Sequence, residues 1–157
     1  MGGKIRIPVK KTLVIVLILL AFIAGYFYFN KPQPAQFKGV TNLHLVKISD
    51  EAGELRGELV FHNPNKMRSE LGKVNFAVNL NSVNIGYIDE SFTTAIKGNE
   101  DFHFAFQIRF PFTADWVKAQ PPDSIPVTIK GRAGSNVLFA NYTFPIEYSG
   151  TVKNTIP

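Results

Sequence analysis

Histidine residues are the first side chains to consider, because they bind metals and transfer protons near neutral pH. The sequence contains His44, His62 and His103, and each lies in an alternating run that is typical of a β-strand. None has the i, i+4 spacing of a helical zinc site, and an HExxH motif is absent. We interpret them as residues of a sheet surface. A metal pair of His62 and His103 across two strands stays open as the alternative.

Acidic residues are scattered singly or in pairs, and we expect each of the pairs Asp50-Glu51, Asp89-Glu90 and Glu100-Asp101 at a turn or a strand end. Catalysis by paired carboxylates requires a cleft that shifts their pKa values. The Gly-x-Ser-x-Gly, GxGxxG and P-loop motifs are absent. We therefore predict no catalytic, no cofactor-binding and no metal-ligating residue, and a protein that is not an enzyme.

The Asn63-Pro64-Asn65 tripeptide and Trp116 each allow a structural and a functional interpretation. Proline fixes the backbone angle φ and asparagine side chains bond to neighbouring backbone groups, so the tripeptide is typical of a structural turn. The alternative is an exposed polar recognition loop. For Trp116 we favour a core position beneath a short helix over a binding role.

Cysteine is absent from the 157 residues, which excludes disulfides, zinc–thiolate sites, iron–sulfur clusters and thiol nucleophiles. The formal net charge is +5. It comes from Lys4, Arg6, Lys10, Lys11 and Lys31, because the rest of the chain has 12 basic and 12 acidic residues. This balance argues against a nucleic-acid partner. With 45% hydrophobic and 18% charged residues, the chain is too apolar for a disordered protein.

The segment Leu13–Phe29 contains 17 residues without a charge. A helix of that length spans about 25 Å, close to the hydrocarbon core of a bilayer. Basic residues precede it, and positive charge stays on the cytoplasmic side. We therefore predict a single-pass anchor in the cytoplasmic (inner) membrane, with a cytoplasmic N-terminus and a periplasmic or otherwise extracytoplasmic C-terminal domain. A cleaved signal peptide is disfavoured, because the run is long and lacks a small-x-small site.

The sequence predicts five segments. They are a cytoplasmic basic segment (1–12), a transmembrane anchor helix (13–30), a proline-containing linker (31–36), an extracytoplasmic domain (37–150) and a C-terminal tail (151–157). Pro32 and Pro34 end the helix and favour extended backbone. Because this linker is short, we expect the domain to lie close to the membrane surface.

Apolar and polar residues alternate through most of the predicted domain, which indicates antiparallel strands over a shared core. The clearest runs are 54–62, 73–80 and 101–110, and weaker ones are 37–48, 83–88, 125–130 and 137–148. The sequences Asn81-Ser82 and Gly134-Ser135-Asn136 are typical of turns between such strands.

One segment, Thr113–Gln120, breaks the period of two. It begins with an N-cap candidate and ends before Pro121-Pro122, so it predicts a single short helix. Seven strands and one helix predict an all-β fold, an antiparallel β-sandwich. Eleven of the 14 phenylalanines lie in this domain and can supply its core.

Several of these residues together resemble a known family. A strand ending in Leu59-Val60-Phe61-His62 runs into Asn63-Pro64-Asn65, and the alternating strand Val74–Leu80 and then Val83–Gly86 follow. With the opening Phe37-Lys38-Gly39-Val40, this pattern is similar to the WHy (water stress and hypersensitive response) domain of the late embryogenesis abundant type 2 (LEA type 2) family. The resemblance covers residues 36–150. It departs at Asn81-Ser82, where Asn-Gly is expected.

The resemblance implies an immunoglobulin- or fibronectin III-like sandwich of about seven strands with one short helix, and it supplies no catalytic residues. It also implies a non-enzymatic, membrane-anchored protein for desiccation or water-stress protection, or for protein interaction at the membrane surface. Expected partners are the membrane and client proteins or lipid, without nucleic acid and without a cofactor. The alternatives are a lipid-binding or lipid-transfer domain of the cell envelope, and an accessory subunit of an envelope complex.

Overall fold

The computed structural model describes residues 9–29 and 31–156, and the chain divides after Pro32 into two compact units. Most of the predicted basic segment, including Lys4 and Arg6, lies outside the described residues, as does the predicted helix end at Asn30.

The first unit contains helix α1, Val9–Phe29. It begins four residues before the predicted anchor, and its apolar side chains between Leu13 and Leu20 are each roughly half exposed. Among the residues that the structure describes, no helix meets the combined length and apolarity needed to cross a membrane. The predicted anchor therefore stays a prediction.

The second unit is an all-β sandwich of seven antiparallel strands in two sheets with one short helix. The elements are β1 (Gln36–Ser49), β2 (Ala52–His62), β3 (Ser69–Leu80), β4 (Val83–Ile96), β5 (Asp101–Pro111), α2 (Ala114–Lys118), β6 (Ser124–Val137) and β7 (Ala140–Lys153). One sheet has the strand order β1-β2-β5 and the other β4-β3-β6-β7. The predicted β-sandwich and the short helix are confirmed.

The core lies between the two sheets and consists of the apolar residues of each alternating strand. Leu55, Leu59 and Phe61 of β2 are fully buried, and Phe76 of β3 faces them from the other sheet. The ring of Phe76 contacts Phe106 edge-on, with the ring centroids 5.4 Å apart. Burial of each such side chain stabilises the fold by about 1.5–3 kcal/mol. An aromatic core of this kind holds a cysteine-free sandwich together.

The predicted turn at Gly134-Ser135-Asn136 is wrong, because these residues lie inside β6. Gly134 pairs with Lys73 on one side and Thr143 on the other, and Ser135 is buried. Continuous pairing with strands on both sides outweighs the local turn preference of glycine and asparagine. The chain turns instead at residues 138–139, between Val137 and Ala140.

Other boundaries also differ from the prediction. Asp89-Glu90 lies within β4, because this strand is an edge strand whose outer face is solvated and accepts charges. Strand β7 continues to Lys153, so part of the predicted tail belongs to the sheet. At Asn81-Ser82 the turn occurs where predicted, and positive φ at both residues gives the type I′ geometry that asparagine tolerates.

Candidate functional site

The outer face of the three-stranded sheet carries most of the residue types that could do chemistry. Alternation turns the even-numbered residues of β2 and the odd-numbered residues of β5 away from the core. Three carboxylates on this face each bond to donors of the same or the neighbouring strand. We call this set the polar ladder: Glu54 with Arg56, Gln107 and Arg109, Glu58 with His103, and Asp101 with His62.

Glu54 is the most enclosed member of the polar ladder, and its side chain is only 1% exposed. Its Oε2 accepts from Arg109 Nε at 2.8 Å and from Gln107 Nε2, and its Oε1 accepts from Arg56 Nε. The bond from Arg109 is the largest cause that lowers the pKa of Glu54, and the Arg56 guanidinium adds to it, while burial acts in the opposite direction. The carboxylate is therefore ionised at neutral pH and joins β2 to β5.

Two histidines pair with carboxylates further along the same face. His103 Nδ1 lies 3.0 Å from Glu58 Oε2, and His62 Nδ1 lies 2.7 Å from Asp101 Oδ1. Hydrogen bonds from Asn42 and then His103 hold the pKa of Glu58 below its ordinary value. All three histidines lie in strands and none is buried, which confirms their interpretation as sheet-surface residues.

The polar ladder is built to cross-link strands. Each carboxylate has its donors supplied by the sheet itself, and such charge-assisted bonds fix the register of β2 on β5. Over residues 9–29 and 31–156 no group of three acidic or histidine side chains is placed to hold a metal ion. His62 and His103 each pair with a different carboxylate, Asp101 and Glu58 respectively.

The Asn63-Pro64-Asn65 tripeptide forms a buried clamp between β2 and β3. Asn63 is fully buried and its side-chain amide donates to the backbone carbonyls of Met67 at 2.9 Å, Ile96 at 3.1 Å and Lys97 at 3.1 Å. Its Oδ1 accepts from the backbone N–H of Asn65 at 3.0 Å and from the Asn65 amide at 2.8 Å. We call Asn63 and Asn65 the asparagine clamp.

The second half of the asparagine clamp holds the entry of the chain into the sandwich. Asn65 Oδ1 accepts from the backbone N–H of Gln33 at 2.8 Å, and its Nδ2 donates to the carbonyl of the same residue at 2.8 Å. The backbone N–H of Asn99 donates to the carbonyls of Asn63 and Asn65, both at 3.0 Å. The clamp thus joins the linker, the β2–β3 loop and the β4–β5 turn, which confirms its structural interpretation.

Trp116 also has the structural role expected of it. Its ring stacks on Phe112 with the centroids 5.8 Å apart and meets Phe110 edge-on at 5.7 Å. Helix α2 is held by Thr113, whose Oγ1 accepts from the Trp116 backbone N–H at 3.2 Å as an N-cap. The helix therefore covers one end of the core.

A shallow basic groove of about 660 Å³ lies on the outer face of the four-stranded sheet. Its cationic residues are Lys73, Lys130 and Arg132. Lys73 pairs with Asp89 at 3.1 Å, whereas Lys130 and Arg132 form no ion pair with any of the described residues. The groove offers these two charges to acidic surfaces, and its shallowness suits weak contacts with a macromolecule.

Aromatic rings fill the middle of the space between the sheets. The ring of Phe104 stacks on Phe92, with the ring centroids 5.3 Å apart, and meets Phe76 edge-on at a centroid distance of 6.5 Å. The ring centroids of Phe61 and Phe144 are 6.0 Å apart. An acyl chain would have to displace these rings to enter between the sheets. The packing therefore gives no specific support to the alternative of a lipid-binding or lipid-transfer domain.

Sequence patterns could predict the exposed histidines but not the burial of Glu54. A glutamate between Gly53 and Leu55 resembles any outward-facing strand residue. Its three donors come from residues 56, 107 and 109, and only the register of β2 on β5 brings the last two beside it. The available signal was two possible donors, Gln107 and Arg109, on alternate residues of one predicted strand, together with Arg56 two residues after Glu54.

The fold is a two-sheet β-sandwich, and comparison with solved structures finds the same fold elsewhere. A crystal structure of a protein from Archaeoglobus fulgidus matches with a TM-score of 0.51 and 10% identity, over 76% of this chain and 98% of that one. The solution structure of a protein from Arabidopsis thaliana matches with a TM-score of 0.60 and 14% identity, over 78% and 82%. At such identities the likeness shows the fold alone.

The third structure, a solution structure, is that of a protein provisionally described as late embryogenesis abundant. It is 13% identical over 93% of this chain and 87% of its own, with a TM-score of 0.49, a value that does not establish a shared fold. No protein-family profile matches the sequence, and no curated protein matches it.

Proposed function

We propose that the chain is a non-enzymatic, membrane-anchored LEA type 2 (WHy-like) protein that protects client proteins against water stress at the membrane surface. The asparagine clamp is the observation that carries this proposal. Both asparagines of the tripeptide on which the resemblance rests are buried and hydrogen bonded, and Asn65 ties the linker to the sandwich. Such a role explains why a family would be recognised by these three residues at the end of a strand.

The strand order supports the finer assignment of the fold. Three strands, β1-β2-β5, face four strands in the order β4-β3-β6-β7. This is the division of a fibronectin III-like sandwich, in which the third and fourth strands both join the larger sheet. We infer this type from topology, and the short helix α2 is an addition to it.

The membrane anchor rests on the sequence and on the exposed residues of α1. The run Leu13–Phe29 has no charge, and the large apolar side chains of Leu13–Leu20 are 46–61% exposed. Side chains of this kind are stable in lipid rather than in water. With basic residues before the run, the N-terminus lies in the cytoplasm and the sandwich on the outer side of the cytoplasmic membrane.

Client contact would use the outer faces of the sandwich. The basic groove supplies unpaired cations, and the polar ladder supplies a face whose charges are already balanced. Weak, reversible contacts with partly dehydrated proteins need such shallow polar surfaces rather than a deep pocket.

The proposal predicts protection of an enzyme during drying. The full chain is reconstituted in vesicles with the sandwich outside, lactate dehydrogenase is added outside, and the mixture is dried and rehydrated. We expect more enzyme activity to survive than with vesicles that carry a peptide of residues 1–32 at the same density. Equal recovery with the two preparations would argue against protection by the sandwich.

A further inference from the structure

The turn between β6 and β7 consists of two large apolar residues. Phe139 is 99% exposed and Leu138 is 46% exposed. Leu138 also has a left-handed backbone with φ of +57°, whereas the other described non-glycine residues with positive φ are asparagines and a serine. Leucine tolerates this conformation poorly. The turn therefore departs from two local rules without a gain in packing, as functional sites do.

The turn lies at the end of the sandwich where the chain enters it. The backbone N–H of Ala35 donates to Ser135 Oγ at 3.2 Å, so the linker touches β6 three residues before Leu138. At about 3.3 Å per residue, the turn extends roughly 10 Å beyond this contact. The asparagine clamp lies at the same end, because it joins the end of β2 to the start of β3.

Covalent connectivity relates this end to the anchor. Residues 30–32 alone separate the last residue of α1 from Gln33, and three extended residues reach about 10 Å. If the anchor of the proposed function spans the bilayer, this short tether limits how far Gln33 can lie from the last residue of α1. The present inference rests on that anchor.

We propose that the Leu138-Phe139 turn enters the interfacial region of the bilayer and forms a second membrane contact. Phenylalanine and leucine are the side chains that interfacial segments bury at the boundary of headgroups and acyl chains. Two such residues alone would bind lipid weakly. Tethering by the anchor makes the contact intramolecular, which raises the effective concentration of the turn at the interface and strengthens a weak contact.

The turn is proposed to contact the apolar part of the membrane interface rather than the charged headgroups. Arg68 and Lys97 are exposed near this end, but Glu70 and Glu100 lie 3.4 Å and 3.7 Å from them. These two charges are largely balanced, whereas exposed Lys66 in the β2–β3 loop has no ion pair with any of the described residues and would be attracted to anionic lipid. Because Leu138 and Phe139 carry no charge, the turn itself should enter neutral phosphatidylcholine membranes as well as acidic ones.

The absence of cysteine allows a direct test with single-cysteine variants of the full chain. Phe139→Cys and Val83→Cys are each labelled with the fluorophore NBD and reconstituted in phosphatidylcholine vesicles that contain a lipid spin-labelled near the top of its acyl chain. Val83 is the control for position, since it is also exposed (46%, against 99% for Phe139) and lies at the other end of the sandwich. Its neighbour Leu80 pairs with Val127, roughly 33 Å along β6 from Val137.

We expect the spin label to reduce NBD emission at position 139 at least twofold more than at position 83. A second pair of variants carries NBD at Asn141→Cys. One member keeps the native turn, and the other also has Leu138→Gly and Phe139→Ser. The altered turn should lose at least half of the quenching, while Trp116 fluorescence reports that the fold is kept. Equal quenching within either pair would overturn the membrane contact.

Alkaline carbonate extraction of the same vesicles separates this inference from the anchor. Chain that stays in the membrane while position 139 is unquenched would overturn the turn contact and leave the anchor intact. Release of the chain would overturn the anchor and the turn contact with it. Retention together with selective quenching at position 139 would support both.

Discussion

Replacement of Asn63 by alanine tests the asparagine clamp, on which the proposed function depends. Asn63 is fully buried, and the alanine variant removes its side-chain oxygen and amide while the surrounding polar groups stay in place. The carbonyls of Met67, Ile96 and Lys97 lose their amide donor, and the backbone N–H and side-chain amide of Asn65 lose their acceptor.

The expected loss can be worked out from these bonds. The side-chain NH2 group of Asn63 has only two hydrogens, so its contacts with three carbonyls count as two full hydrogen bonds. The side-chain oxygen of Asn63 accepts two more. Four bonds at about 1 kcal/mol each give a loss of about 4 kcal/mol in the free energy of unfolding. Asn63→Asp should cost a similar amount, because a carboxylate oxygen would face the carbonyls of Ile96 and Lys97.

The assay is equilibrium urea unfolding of the full chain in detergent micelles, followed by Trp116 fluorescence. This tryptophan is the only one in the chain and stacks on Phe112, so its emission reports the packing of the sandwich. The control is Asn79→Ala, which removes one exposed bond at 3.2 Å to Asn84 and should cost under about 1 kcal/mol. If Asn63→Ala came within about 1 kcal/mol of this control, the clamp would not hold the fold.

Three further predictions concern the sandwich. Gly131→Ala should cost more than about 3 kcal/mol of unfolding free energy or prevent folding, because its Cβ would lie 2.0 Å from the Asn75 carbonyl oxygen. Its matched control is Gly134→Ala, which should be near neutral in the same urea assay because the nearest new contact is at 3.8 Å. Leu138→Gly should raise the free energy of unfolding by about 1 kcal/mol by relieving the left-handed backbone, and a lower urea midpoint would contradict this. Glu54→Gln should have a lower free energy of unfolding than the native chain above pH 4.5, and this difference should narrow as the pH falls below 4.5. The reason is that the lowered pKa of Glu54 in the folded chain contributes stability, which is lost as the carboxylate becomes protonated. A difference that does not change with pH would refute the role of the carboxylate.

Local patterns were sufficient for most of the strands and for α2. Leu55, Leu59 and Phe61 alternate with polar residues, and this alternation alone assigns their faces in β2. Thr113 before Ala114 and the two prolines after the helix fix α2 with little help from the rest of the fold. Where apolar and polar residues alternate without a break, as in β2, the sequence predicts the strand correctly.

The missed features depend on contacts between distant residues. Ser135 was predicted to be part of a turn, but it is buried in β6 and accepts a bond from Ala35, one hundred residues away in sequence. Glu54 is enclosed only because Arg109 and Gln107 lie opposite it. Partners of this kind are set by sheet register, which no local pattern contains.

The location of the sandwich relative to the membrane is the central claim, and cysteine accessibility tests it most directly. Ser149 is exposed in β7, whereas Lys4 precedes the apolar run. In intact spheroplasts, we predict that Ser149→Cys reacts with a membrane-impermeant maleimide and that Lys4→Cys reacts only after lysis. Reaction of Lys4→Cys in intact spheroplasts, or protection of Ser149→Cys until lysis, would contradict the claim.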